Sequence, residues 1–213
     1  VDSFSVQNTV INRVMLPFNY KRIAAQANSF THWLRRLPLK SGNPKIKLYN
    51  GKIKRNQSCH AFVLDLDVGN RDLQQCADAT MRLRAEYLFN NGKLDSIHFD
   101  YTNGAYVAFN KWMKGFYPVP KSGGVNWKSS PKNNRGYASF RKYLDQIFNY
   151  AGSLSLSREL KPVPLNSIQP GDLLVTGGTP GHAVMVLDVA EHKETGGKLF
   201  LLGQGCTPAQ DMH

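Results

Sequence analysis

With 213 residues, 41% of them hydrophobic, the chain can bury a sizeable core without disulfide staples or repeats, and one domain is the default expectation. Its formal charge of +12 and pI near 9.7 favour anionic surfaces, but Lys and Arg are dispersed into clusters at Arg35-Arg36, 45–55 and 128–142, which gives a solvated basic surface and no nucleic-acid-reading motif. The apolar run over 184–189 is broken by Asp188, far short of the roughly 18 to 20 residues of a membrane helix, and three cysteines without C-x-x-C spacing exclude a disulfide framework and a zinc finger.

In chain order, NSFTHWLRRLPL over 28–39 predicts a short helix capped by Asn28 or Ser29 and closed at Pro38. Residues 46–49 and 52–54 flank Asn50-Gly51 and predict a hairpin with a two-residue type I′ turn, because Asn-Gly accepts two positive φ angles. AFVLDLDV over 61–68 sets Phe62, Leu64, Leu66 and Val68 on one face and Asp65 and Asp67 on the other. That period of two predicts a half-buried strand of the main sheet.

From Asp72 the period becomes helical. Asp72 and Gln75 have the spacing of a capping box, and the helix is expected to run to about Phe89. Leu73, Ala77, Met81 and Leu88 share a stripe, with Cys76, Leu83 and Tyr87 beside it, while Asp78-Arg82 and Arg82-Glu86 form i,i+4 pairs on an expected exposed back. Cys76 then stands at about the fourth helical position, facing protein. Residues 97–101 predict a strand, and 105–112 carry further apolar side chains. Residues 114–135, rich in Pro, Gly, Asn and Ser, predict a long loop of the kind that serves as a lid or binding loop. A helix follows over 138–150, ended by Gly152.

Gln169-Pro170-Gly171-Asp172 leads into a strand at 173–176, Thr179-Pro180-Gly181 turns the chain into 182–189, and Gly196-Gly197 turns it into 198–202. These three strands predict an antiparallel meander from Gly171 to Gln204. Pairing Val189 with Lys198 sets Ala183 opposite Gln204, so His182 and Gln204 lie side by side at one sheet end.

A polar side chain beside a histidine can hold its ring and tautomer, the third role in a nucleophile, base and orienter set. Cys76 is the matching nucleophile, since helix-terminal amides and a neighbouring imidazolium both favour thiolate. Cys76, His182 and Gln204 are therefore the candidate catalytic residues. Gln75 is a candidate oxyanion donor, and Trp127, inside the expected loop, is a candidate sugar-stacking residue for substrate binding. The chemistry requires no cofactor, metal or organic. Cys59-His60, Cys206 and His182 lack the local spacing of a zinc site. The bland alternatives are a core Cys76, a strand-edge His182 bonding a turn, a Gln204 serving backbone groups, and Asp172 as a turn cap.

The order of QQCADATMRLRAEYLF, then PGDLLVTGGTPGHAVMVLDV, resembles the NlpC/P60 branch of the papain-like cysteine peptidases and amidases, although Gln75-Cys76-Ala77-Asp78 stands where that family has Asp-Cys-Ser-Gly. The strings FTHWLRRLPL, GNRDLQQCADATMRLRAEYLF, FNYAGSLSLSRELKPV, GGTPGHAVMVLDVA and FLLGQGCTPAQDMH resemble the bacterial domain-of-unknown-function family 4846, with Gly205-Cys206-Thr207 in place of Ser-Tyr-Met before Pro208-Ala209-Gln210. That second resemblance implies an extracytoplasmic, envelope-associated protein, exported or lipid-anchored through a leader ahead of Val1, and brings no established activity. The expected fold is a single α+β domain over 1–213: a central antiparallel sheet with packed helices, a papain-like core over 61–213, and an N-terminal addition over 1–60. The expected function is a cysteine peptidase or amidase acting on peptidoglycan or another envelope polymer. The alternative is a non-catalytic envelope binding or scaffold protein that kept the fold.

Overall fold

The computed structural model describes residues 8–213, and the first seven residues of the expected N-terminal addition lie outside it. In chain order the elements are α1 (Val10–Arg13), β1 (Tyr20–Arg22), α2 (Phe30–Arg35), α3 (Cys76–Asn90), β2 (His98–Asp100), β3 (Tyr106–Ala108), α4 (Phe109–Met113), β4 (Phe116–Lys121), β5 (Gly124–Ser129), α5 (Tyr137–Phe148), α6 (Ser153–Glu159), β6 (Leu173–Thr176), β7 (His182–His192) and β8 (Lys198–Gly203). The fold is mixed α+β. The chain forms two compact units: one takes in the chain up to Gln75 with Val163–Leu174 and Val184–His213, the other Cys76–Pro162 with Val175–Ala183.

The first unit is organised by β7. Sheet order is β1-β7-β6, with β8 also pairing β7, so the expected meander forms with β7 at its centre. β1 adds a pairing that short polar YKR does not announce: Tyr20 to His192, Lys21 to Glu191 and Arg22 to Ala190, antiparallel. The β7–β8 register differs from expectation. Lys198 pairs with Glu191 and Val189 with Phe200, because the hairpin closes two residues later, with His192 N donating to Gly197 O at 2.8 Å. An irregularity between Val186 and Asp188 then shifts the ladder, so Met185 meets Gly203. Leu187, at this bulge, packs against Gly203; a Cβ added at Gly203 would lie 2.6 Å from Leu187 Cδ1.

Asp188, beside that bulge, is only 4% exposed. Its Oδ2 accepts from Arg22 Nε at 2.6 Å, and its Oδ1 accepts from Arg35 Nε at 2.8 Å and from Val189 N at 2.9 Å. The guanidinium groups continue outward, Arg22 Nη2 to Val14 O at 2.7 Å and Arg35 Nη2 to Ile23 O at 2.9 Å. Burying a lone carboxylate is costly; here two guanidinium groups and a backbone amide supply its partners.

Three local expectations for this unit need correction. Ser29, as expected, caps α2, its side chain accepting from His32 N at 3.2 Å, but the helix stops at Arg35. In the 46–54 hairpin only Gly51 has positive φ (+80°). Leu48 N donates to Lys52 O and Gly51 N to Leu48 O, a three-residue loop with left-handed glycine in place of type I′. Residues 61–68 form no strand. Val63 and Leu64 are both buried (0% and 2%), and the segment is held by Lys40 N to Val63 O, Leu64 N to Met212 O and Asp65 N to Pro38 O. Two partners on different sides replace one ladder, so the alternation of two does not set burial.

In the second unit α3 begins at Cys76 and is buried on nearly every side, including Asp78, Arg82 and Glu86, which were expected to be exposed. Their burial is possible because Glu86 is matched: Arg82 Nε lies 3.4 Å and Arg141 Nη1 3.6 Å from Glu86 Oε1, to which Tyr137 OH donates at 2.8 Å. An aromatic core of Phe109, Phe140 and Tyr143 supports α4 and α5, with Tyr143 OH donating to Val107 O and Trp112 Nε1 to Ser139 Oγ. The expected loop over 114–135 is mostly a hairpin: β4 and β5 pair from Phe116–Ser129 to Lys121–Gly124. Pro118 and Pro120 hid it, since proline usually marks a chain outside a ladder; a two-stranded ribbon, all edge, tolerates them.

Replacement of Asp188 by Ala leaves Arg35, 6% exposed, without its counter-charge, and is expected to cost about 3–5 kcal/mol, read as a lower midpoint in urea unfolding. An unchanged midpoint contradicts the anchoring role.

Candidate functional site

Cys76 and His182 both belong to the second unit. Cys76 is the first residue of α3, not the fourth: Asp72 does not cap the helix, because its Oδ1 accepts from Ala209 N at 2.7 Å and from Gln75 Nε2 at 3.1 Å. A thiol at the first position of a 15-residue helix stands among the unsatisfied backbone amides of the helix start. It is also well covered, at 9% exposure.

His182 opens β7 and is half-buried. The turn before it is fixed by close packing on α6. A Cβ at Gly177 would sit 2.2 Å from Ser157 Oγ, and one at Gly181 would sit 2.1 Å from Ser153 Oγ and 2.5 Å from Gly178 O. Only hydrogen at these positions lets the turn reach α6. Trp127 lies in β5 opposite Pro118, with Lys111 Nζ 4.8 Å from its ring centroid. The stacking residue thus stands on a ribbon, not in a loose loop.

Gln75 and Gln204 belong to the first unit. Gln75 gives its amide N–H to Asp72 and accepts from Thr207 Oγ1 at 3.0 Å, so both ends of its amide are engaged. Gln204 follows the last ladder pair, Met185–Gly203, and not the expected Ala183 register. Its backbone exchanges two hydrogen bonds with His213, Gln204 N to His213 O at 2.8 Å and His213 N to Gln204 O at 2.9 Å.

That pairing brings forward residues the sequence did not connect. None of the three cysteines forms a disulfide. Cys59 Sγ lies 3.9 Å from His213 Nε2, and the His60 and His213 rings stand edge to face at 6.2 Å. His213 Nδ1 lies 3.0 Å from Asp211 O. A carbonyl can only accept, so Nδ1 carries the hydrogen and Nε2 presents a lone pair toward the thiol. Burial pushes the His213 pKa below 6.5, helped by the charges of Lys54 and His60 and opposed by the Asp211 carbonyl. Cys59, His60, Gln204 and His213 line a cavity of about 230 Å³ whose other walls are apolar, among them Phe62, Val184, Leu187 and Leu202. Neither Cys76 nor His182 lines it. Only the adjacency of Cys59 and His60 was visible in sequence, because His213 joins them across 154 positions.

Among the described residues no group of three or more His, Cys, Asp or Glu is arranged to hold a metal ion. Nor is any helix long and apolar enough to cross a membrane. The model of a family described as domain of unknown function (4846) matches residues 10–213. No curated protein and no solved structure matches the chain.

Two outcomes are expected. Gly181→Ala must move backbone, since Gly178 O lies 2.5 Å from the added carbon, and should lower the melting temperature by several degrees. His213, with a folded pKa below its unfolded 6.5, contributes stability that is complete above 6.5 and lost as pH falls through the lowered value. His213→Asn should flatten the fall in urea midpoint below pH 6.5; an unchanged slope contradicts the assignment.

Proposed function

Because the chain belongs to domain-of-unknown-function family 4846, whose description states no activity, we propose from its residues that it is a cysteine hydrolase, in which Cys76 and His182 cleave an amide bond of an envelope polymer such as peptidoglycan. The observation that carries the reading is the position of Cys76 as the first residue of α3. That position sets the thiol beside the unsatisfied amides of the helix start, and the same compact unit supplies His182 from a turn locked by glycine packing.

In this reading Cys76 attacks the carbonyl, His182 takes the thiol proton and returns it to the leaving amine, and water, deprotonated by His182, then cleaves the acyl–Cys76 thioester to release the acid and restore the thiol. Trp127 offers a stacking face for a sugar. No cofactor is required. The proposal is confined to residues of the second unit; Gln75 spends its amide on Asp72 and Thr207. Papain-like kinship and an envelope location belong to the same proposal, the first resting on the motif order and the second on the resemblance to family 4846. The 9% exposure of Cys76 favours a second reading, a protein that binds envelope polymer through its basic surface without cutting it.

Purified peptidoglycan fragments distinguish the two. The hydrolase should release new amino groups, Cys76→Ala should reduce that by at least about a thousandfold, and His182→Asn by about a hundredfold or more. Cys206→Ser should keep full activity. Retention of cleavage in Cys76→Ala, or fragments bound intact by the unaltered protein, overturns the catalytic reading.

A further inference from the structure

We infer that Cys59 and His213 form a second thiol–imidazole pair, in the first unit, which accepts a short apolar acyl group from an ester or thioester into the adjoining cavity. Three features of the geometry meet there. The His213 Nε2 lone pair lies 3.9 Å from Cys59 Sγ, a separation common to nucleophile and base before substrate binds. The third member of the set is the Asp211 carbonyl, which fixes the tautomer at 3.0 Å from Nδ1. His213 is therefore positioned as a base, and the thiol proton has two acceptors, His213 Nε2 and Asn56 O at 3.7 Å.

The cavity supplies the second half of the argument. An apolar cavity of about 150 Å³ takes up benzene, so one of about 230 Å³, walled by Val10, Val14, Leu39, Leu64, Leu187 and Leu201, suits a chain of about four to six carbons. Its polar groups are gathered at Cys59, His60, Gln204 and His213. An acyl chain laid against the apolar wall puts its carbonyl carbon at the one place where a nucleophile stands. His60 Nε2 is engaged with Pro44 O at 3.1 Å, which leaves its buried Nδ1 as an acceptor without a partner.

The step balances without an oxidant or reductant. His213 Nε2 takes the Cys59 proton, the sulfur bonds to the acyl carbon, and the donor's C–O or C–S bond breaks. The leaving alkoxide or thiolate takes the proton from His213, giving S-acyl Cys59 and a free alcohol or thiol. Cys206 is the internal comparison. Its Sγ lies 4.0 Å from Lys54 Nζ, and it does not line the cavity.

The test uses the described chain with p-nitrophenyl hexanoate as probe, followed by intact mass and peptide mapping. One hexanoyl group is expected on Cys59, absent in Cys59→Ser and formed about a hundredfold more slowly in His213→Asn. Val184→Phe, which fills the cavity, should slow hexanoylation at least about tenfold while alkylation of Cys59 by iodoacetamide, which needs no cavity, keeps its rate; an unchanged circular dichroism spectrum and cooperative melt show that the variant is folded. Hexanoylation of Cys206 as fast as Cys59, an unaltered rate in His213→Asn, or equal slowing of both reagents by Val184→Phe overturns the proposal. Cys76 has no part in it, so its failure leaves the hydrolase reading where it stands.

Discussion

The carboxylate of Asp188 is the point on which the first unit turns. Its partners Arg22 and Arg35 are 166 and 153 positions away in sequence, so one charge ties β1 and α2 to the middle of β7. Sheet edges are paired by nondirectional apolar burial plus backbone bonds, and a sheet of short strands can slip register at little cost. A buried charge that must meet two guanidinium forks admits one arrangement. The bulge at Leu187 and the hydrogen-only surface of Gly203 act in the same sense, since a slip would drive Leu187 into a side chain.

The second unit solves a similar problem around Glu86. Its carboxylate, matched by Arg82, Arg141 and Tyr137, lets α3 be covered on its charged side as well as its apolar one. A surface helix needs only one apolar stripe; this one is enclosed, and its first residue, Cys76, is enclosed with it. The same burial that would hold a nucleophile in place also restricts approach to it. The chemistry proposed for Cys76 and that inferred for Cys59 therefore make opposite demands. One thiol has helix amides and cover; the other has an exposed position, an imidazole 3.9 Å away and a cavity.

What could be read from the sequence divides along physical lines. The meander was legible because apolar runs, Pro-Gly turns and Gly-Gly turns act over a few residues, and each strand appears where those signals put it. So was the Ser29 cap. The hairpin at 46–54 was legible in place but not in turn type, since Gly51 alone takes positive φ and Asn50 does not. Residues 61–68 failed as a strand because their partners, Pro38 on one side and Met212 on the other, are tertiary. Of the site, the residue types were legible and the helix start was not: Asp72 carries a capping signature yet is spent on Ala209. His213 gave no local signal whatever, and neither did the duty of Asp188, which in sequence only interrupts an apolar run.

The way the two units share the chain has a consequence for how the protein is made. The polypeptide passes between them at Gln75, Pro162, Leu174 and Ala183, so neither is a contiguous segment that could be cut out and expressed. Emerging from a ribosome, residues 76–162 can collapse early around α3 and α5, while the first unit must hold β1 and α2 unpaired until His192 is out. Its contacts span most of the chain, which is the topology of slow folding.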